Sequence, residues 1–79
     1  MRILFFAHLQ EVTGCSEFRL EPSTPLPADA VWSELLQVFP GLSPCRAFVR
    51  LARNWEYASA ETLFLPGDEV ALIPPVSGG

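Results

Sequence analysis

Ile3, Leu4, Phe5, Phe6 and Ala7 form an unbroken apolar run near the start of the chain. A run of this length without charge predicts a strand covered on both faces. The polar stretch from Gln10 to Ser16, with Gly14 inside it, predicts a turn. Glu17, Phe18, Arg19 and Leu20 then alternate polar and apolar, so the two segments are expected to pair as a hairpin. Pro22, Pro25 and Pro27 are expected to forbid further strand, because proline has no N–H to give to a ladder. Asp29 is the expected N-cap of a helix carrying Val31, Trp32, Leu35, Leu36, Val38 and Phe39 on one broad face, stopped by Pro40 and Gly41.

Beyond a loop through Ser43 and Pro44, Ala47, Val49 and Leu51 alternate with Arg46, Phe48 and Arg50, which predicts a third strand over Arg46 to Ala52. Asn54 and its neighbours read as a turn. Leu63 to Leu65 predicts a short strand leading into a Pro66-Gly67-Asp68 turn, and Glu69 to Ile73 predicts the last strand, ended by Pro74 and Pro75. One helix among four or five strands is an α+β arrangement in which the helix covers one sheet face. Period-two geometry sends Ile3, Phe5, Val70 and Leu72 to one side and Leu4, Phe6, Ala71 and Ile73 to the other. No second helix is available for that other face. Either the loop from Trp55 to Thr62 folds over it, or it is a docking surface.

Seventy-nine residues make one domain, and a chain of that size buries only about 60% of its unfolded surface, which leaves little room for an enclosed cleft. With 49% hydrophobic and 18% charged residues it can nevertheless build a core. Net charge is −4, and the five basic residues, all arginine, are scattered, so no run exists to neutralise successive phosphates. Nucleic acid is therefore not an expected partner. With no lysine in the chain, Schiff-base chemistry and lysine-linked chain building on its own residues are excluded. Short apolar runs broken by proline or charge predict neither a signal peptide nor a membrane span, which points to the cytoplasm. Cys15 and Cys45 lack a C-x-x-C spacing and one histidine does not complete a zinc set, so the expectation is two reduced thiols and no metal.

Conventional catalytic patterns are missing. His8 has no partner fixed by spacing, no serine sits in a nucleophile elbow, and Asp68 and Glu69, being adjacent on a strand, point apart and are expected to serve the turn. The ending Pro74-Pro75-Val76-Ser77-Gly78-Gly79 differs from the rest, since two stiff residues are followed by progressively smaller side chains. Six extended residues reach roughly 20 Å, enough to carry a terminal carboxylate into another protein, and terminal glycines can pass a narrow channel. The domain is therefore drawn at 1–75 and a tail at 76–79, with Gly79 as the working group and Val76, Ser77 and Gly78 in the channel.

Leu4-Phe5-Phe6-Ala7-His8-Leu9-Gln10-Glu11 with Gly14, Asn54, and the ending Gly67-Asp68-Glu69-Val70-Ala71-Leu72-Ile73-Pro74-Pro75-Val76-Ser77-Gly78-Gly79 together resemble the small, sulfur-carrying subunits of molybdopterin synthase. The likeness spans essentially the whole chain. It departs from that family at Arg53, where an apolar residue is frequent, in the proline-rich segment from Pro22 to Pro27, and at Pro66; these positions bear on loop geometry. The resemblance implies a ubiquitin-like β-grasp fold, a mixed sheet with its first and last strands parallel neighbours.

It also implies a carrier that is not catalytic alone. An ATP-dependent adenylyltransferase would convert the Gly79 carboxylate to an acyl-adenylate, and a persulfide would turn that into a thiocarboxylate. The sulfur would then go to cyclic pyranopterin monophosphate in a large subunit that holds the catalytic residues, in a heterotetramer of two small and two large subunits. The family's apolar contacts to its partners fall at Phe6, Tyr57 and Ile73, with Pro74 and Pro75 beside them. ATP belongs to the activating partner, and no cofactor is expected on the chain itself. Carriers for thiamine, tungsten-pterin or transfer-RNA thiolation would present a similar tail, and so would a ubiquitin-like modifier or interaction module.

Overall fold

The computed structural model describes residues 1–75. The chain forms β1 (Arg2–Phe5), α1 (His8–Thr13), β2 (Glu17–Arg19), β3 (Leu26–Pro27) and α2 (Ala28–Val38). A 3₁₀ turn over Pro40–Cys45 leads to β4 (Arg50–Arg53), β5 (Glu56–Tyr57), β6 (Leu63–Phe64) and β7 (Glu69–Ile73). Five strands make one mixed sheet in the order β2-β1-β7-β4-β5, and β3 pairs with β6 in a separate two-stranded ladder. The first and last strands lie side by side and parallel at the centre, with Arg2 opposite Glu69 and Phe5 opposite Leu72. Both strands have a neighbour on either side, and their continuously apolar sequences put apolar side chains on the face away from α2 as well as on the face toward it. The fold is α+β and β-grasp, as expected.

Ile3, Phe5, Val70, Leu72 and Leu51 point to one side of the sheet and meet Val31, Trp32 and Leu35 of α2, together with Leu9, Leu42 and Phe64. Each fully buried aliphatic or aromatic side chain contributes about 1.5–3 kcal/mol, and this cluster is what stabilises α2, a helix of three turns that would be marginal in isolation. Phe39 closes the cluster. Its ring takes the edges of Phe5 and Phe18 at centroid distances of 5.5 and 5.1 Å.

Several local expectations are corrected. Most of the predicted turn from Gln10 to Ser16 is helical: α1 begins at His8, buries Leu9 completely, and ends on Gly14 in the left-handed region (φ 78°), whose N–H donates to the Gln10 carbonyl at 2.8 Å. The first strand stops at Phe5 because Ala7 adopts φ 51°, ψ −133°, turning the chain away from the ladder. Asp29 does not cap α2. Pro27 occupies that position with no side-chain cap, and Asp29 sits in the first turn, where it accepts from Arg46 at 3.0 Å. The proline-rich segment does enter a strand, Leu26 lying opposite Phe64; Pro27 ends β3, a place where a missing donor is tolerated.

The strand expected over Arg46 to Ala52 begins only at Arg50, because Phe48 and Val49 both donate backwards to the Cys45 carbonyl, at 3.0 and 3.1 Å, and hold the chain in a turn. Val38, expected on the packed helix face, is 48% exposed. The Asn54 turn is present. Asn54 and Trp55 have φ 51° and 71°, the left-handed pair of a tight hairpin that leads into β5, a strand the pattern did not predict. The last strand falls on Glu69–Ile73, as read.

Candidate docking face and tail root

On the sheet face away from α2, register places Arg50 opposite Ile73, Ala52 opposite Ala71, and Leu4 opposite Ala71. Ala52 and Ala71 are buried, while Leu4, Phe6 and Ile73 are half-buried. The two ends of this face differ. Around Phe6 the hairpin folds back: the Trp55 ring lies tilted against Phe6 at 6.0 Å, and its indole N–H donates to the Glu69 carboxylate. Around Ile73 the face is open, with Tyr57 and Phe48 56% and 65% exposed beside it.

Tyr57, Ile73, Pro74 and Pro75 line one shallow hollow of about 270 Å³ together with Phe48 and Arg50. Phe6 is not among its lining residues, so four of the five expected contact residues are brought together and Phe6 stands apart with Trp55. A second hollow, of about 250 Å³, lies on the other side of Phe48 and Pro75 and is lined by His8, Pro44, Cys45 and Val49. Both hollows meet at Pro75, where the described chain ends. Val76, Ser77, Gly78 and Gly79 lie outside the described residues.

Arg50 is not marked as a site residue by the sequence pattern. It was read only as the polar phase of an alternating strand, although that same phase puts it on the face of Ile73. Its guanidinium carbon stands 3.8 Å above the Tyr57 ring centroid, a close cation–π pair. Phe48, an apolar residue in the otherwise polar phase of that alternation, is exposed beside the tail root.

Asp68 and Glu69 are structural. The Asp68 carboxylate accepts from Arg53 Nε at 2.5 Å, Asn54 Nδ2 at 3.2 Å and the Leu65 N–H at 2.8 Å. Burial pushes this carboxyl up, but the hydrogen bonds from Arg53, Leu65 and Asn54 outweigh it and hold the group below its ordinary range. Arg53, a departure from the family pattern, therefore has a partner of its own. Glu69 binds Arg2 Nη1 at 2.8 Å, and Arg2 in turn binds Glu17 at 2.9 Å. Those contacts with Glu17 and Glu69 raise the Arg2 guanidinium further above its already high value.

Cys15 and Cys45 are both free thiols and half-buried. Among the described residues there is no cluster of three or more His, Cys, Asp or Glu able to hold a metal, and no helix long and apolar enough to cross a membrane. What the described residues offer is a mixed apolar and cationic hollow at the point where the central strand leaves the sheet.

A family model described as the ThiS family matches residues 3–79. The molybdopterin synthase sulfur carrier subunit of Arabidopsis thaliana is 35% identical over 79 residues, covering 100% of this chain and 82% of the relative. Its Homo sapiens counterpart is 34% identical over 82 residues, covering 100% of this chain and 93% of the relative. The crystal structure of SAMP1 from Haloferax volcanii is similar with a TM-score of 0.83 and 31% identity, over 99% of this chain and 97% of that one. The chain therefore belongs to the ThiS family and has molybdopterin synthase sulfur carrier subunits as its full-length relatives.

Proposed function

We propose that this chain is the sulfur carrier of a two-subunit molybdopterin synthase and that its working group is the Gly79 carboxylate. The full-length match to carrier subunits of that enzyme carries the reading. The fold supports it physically: β7 is a central strand held on both sides, and it runs straight into Pro74 and Pro75, so the domain gives the last residues a rigid base.

A carboxylate is a poor acceptor because its leaving group would be oxide. Transfer of AMP from ATP onto the Gly79 carboxylate, with release of pyrophosphate, supplies a good leaving group; a persulfide sulfur then displaces AMP to give an acyl disulfide, and a second thiol on the donor side attacks its S–S bond, becoming a disulfide with the donor and releasing the thiocarboxylate. The adenylyltransferase, the persulfide donor and the large subunit supply the catalytic groups for activation and for sulfur delivery to cyclic pyranopterin monophosphate. This chain supplies the acyl end, the channel-sized residues Val76, Ser77 and Gly78, and the face around Tyr57 and Ile73 that seats each partner in turn. Pairing with the large subunit as two small and two large chains completes the assembly. A cytoplasmic setting fits the two free thiols.

Intact mass after incubation with adenylyltransferase, ATP and a persulfide donor tests the reading. The expected product is about 16 Da heavier than the unmodified chain, one sulfur replacing one oxygen. The likeness to SAMP1 favours a second reading as a modifier, which instead gives a conjugate thousands of daltons heavier on another protein's lysine. An unchanged mass excludes both.

A further inference from the structure

Four of the five arginines have a carboxylate within the chain: Arg2 with Glu17 and Glu69, Arg19 with Glu21, Arg46 with Asp29, and Arg53 with Asp68. Arg50 has none among the described residues. It is the cation of the hollow at the tail root, seated over Tyr57 at 3.8 Å and lying opposite Ile73, with Phe48, Pro74 and Pro75 completing an otherwise apolar wall. We propose that Arg50 selects the partner: the large subunit presents an aspartate or glutamate to it, flanked by apolar side chains that fill the hollow. This rests on the carrier reading above.

A guanidinium seated over an aromatic ring still has N–H groups to offer a carboxylate in a planar, two-pronged contact, and the ring beneath it restrains its position in advance. In the free protein the exposed charge is well solvated. Docking changes that, because the apolar wall and the partner exclude water, and a cation there without a carboxylate is costly while a paired one fixes register. The chain carries a net charge of −4, which disfavours acidic partners on the whole, and Arg50 offers a carboxylate a local exception. A small anionic ligand fits less well, since chemistry at Gly79 lies four residues beyond Pro75, a reach of roughly 14 Å.

Calorimetric titration of the full chain with its cognate large subunit, at low and high salt, tests the assignment, with thermal melting as the folding control. Arg50→Glu should weaken binding at least roughly thirty-fold, and Arg50→Leu, which keeps the apolar bulk, roughly ten-fold with a flattened salt dependence. A scan of large-subunit Asp and Glu to Arg should find one position that restores binding to the Arg50→Glu chain. If Arg50→Leu binds as tightly as the parent with the same salt dependence, the selector role is wrong while the carrier reading stands. A parent chain that does not bind the large subunit overturns the carrier reading itself. Salt-sensitive self-association abolished by Arg50→Glu would give the hollow to a second copy and overturn the partner assigned here.

Discussion

Arg53 Nε donates to Asp68 Oδ2 at 2.5 Å, tying the end of β4 to the turn that launches β7. The same carboxylate holds Asn54 and the Leu65 N–H, so one buried side chain organises two turns. Asp68→Ala should destabilise the fold by about 1–3 kcal/mol, because three donors lose their acceptor. The acid dependence has a definite sign. Asp68 is held below its ordinary value of 3.8 when folded, so its contribution is fully present above that value and is lost as pH falls through the lower folded value. Urea midpoints between about pH 6 and pH 2 should drop on the acid side, and Asp68→Asn should show a shallower drop than the parent.

Ala7 carries φ 51° with ψ −133°, a conformation that a Cβ disfavours. Ala7→Gly should therefore stabilise the protein by roughly 0.5–1 kcal/mol despite glycine's greater unfolded-state freedom, and Ala7→Val should destabilise it by more than that. Thermal melting of the two variants beside the parent distinguishes strain relief from a neutral position.

Ile73→Asp affects the docking face twice. It removes apolar area from the hollow, and it places a carboxylate opposite Arg50 in the β4–β7 register, where it would satisfy that charge within the chain. Binding to both the large subunit and the adenylyltransferase should fall by about 2 kcal/mol or more. The uncharged Ile73→Asn should cost less. Binding isotherms for the two variants against each partner check the order, and unchanged affinities would remove Ile73 from the interface.

Deleting Gly79 moves the terminal carboxylate back by about 3.5 Å, comparable to the whole separation of reacting atoms in a near-attack geometry. ATP-dependent sulfur loading should collapse, and one residue added after Gly79 should be equally damaging. Gly78→Ala should load at a reduced rate. Melting temperatures should stay at the parent value, since the central strand ends at Ile73; normal loading without Gly79 would end the carrier assignment for this carboxylate.

The parts of the fold that could be read in advance are those whose signal is local. Glu69–Ile73 is an apolar run between a Pro-Gly-Asp turn and two prolines, and each of those cues acts within a few residues. α1 was missed because six residues with a single buried side chain, Leu9, give less than two turns in which to show a period. β3 was missed for the opposite reason. Leu26 is a strand residue only because Phe64, far along the chain, pairs with it, and nothing in Pro22 to Pro27 announces that partner. That Tyr57 and Ile73 belong together was legible through family likeness and period-two geometry, and they line one hollow. Arg50 was hidden because an exposed arginine in an alternating strand looks ordinary until Tyr57, from the next hairpin arm, comes beneath it.

The parallel pairing of β1 with β7 has a consequence for how the protein is made. Arg2 meets Glu69 and Phe5 meets Leu72, so the middle of the sheet joins the two ends of the chain. During synthesis β1 must wait without its central neighbour until β7 has been made, and contacts between such distant segments are slow to form. The sheet therefore closes late, only once β7 is available. A chain broken off before β7 cannot complete its core, because one half of the central parallel pair is missing.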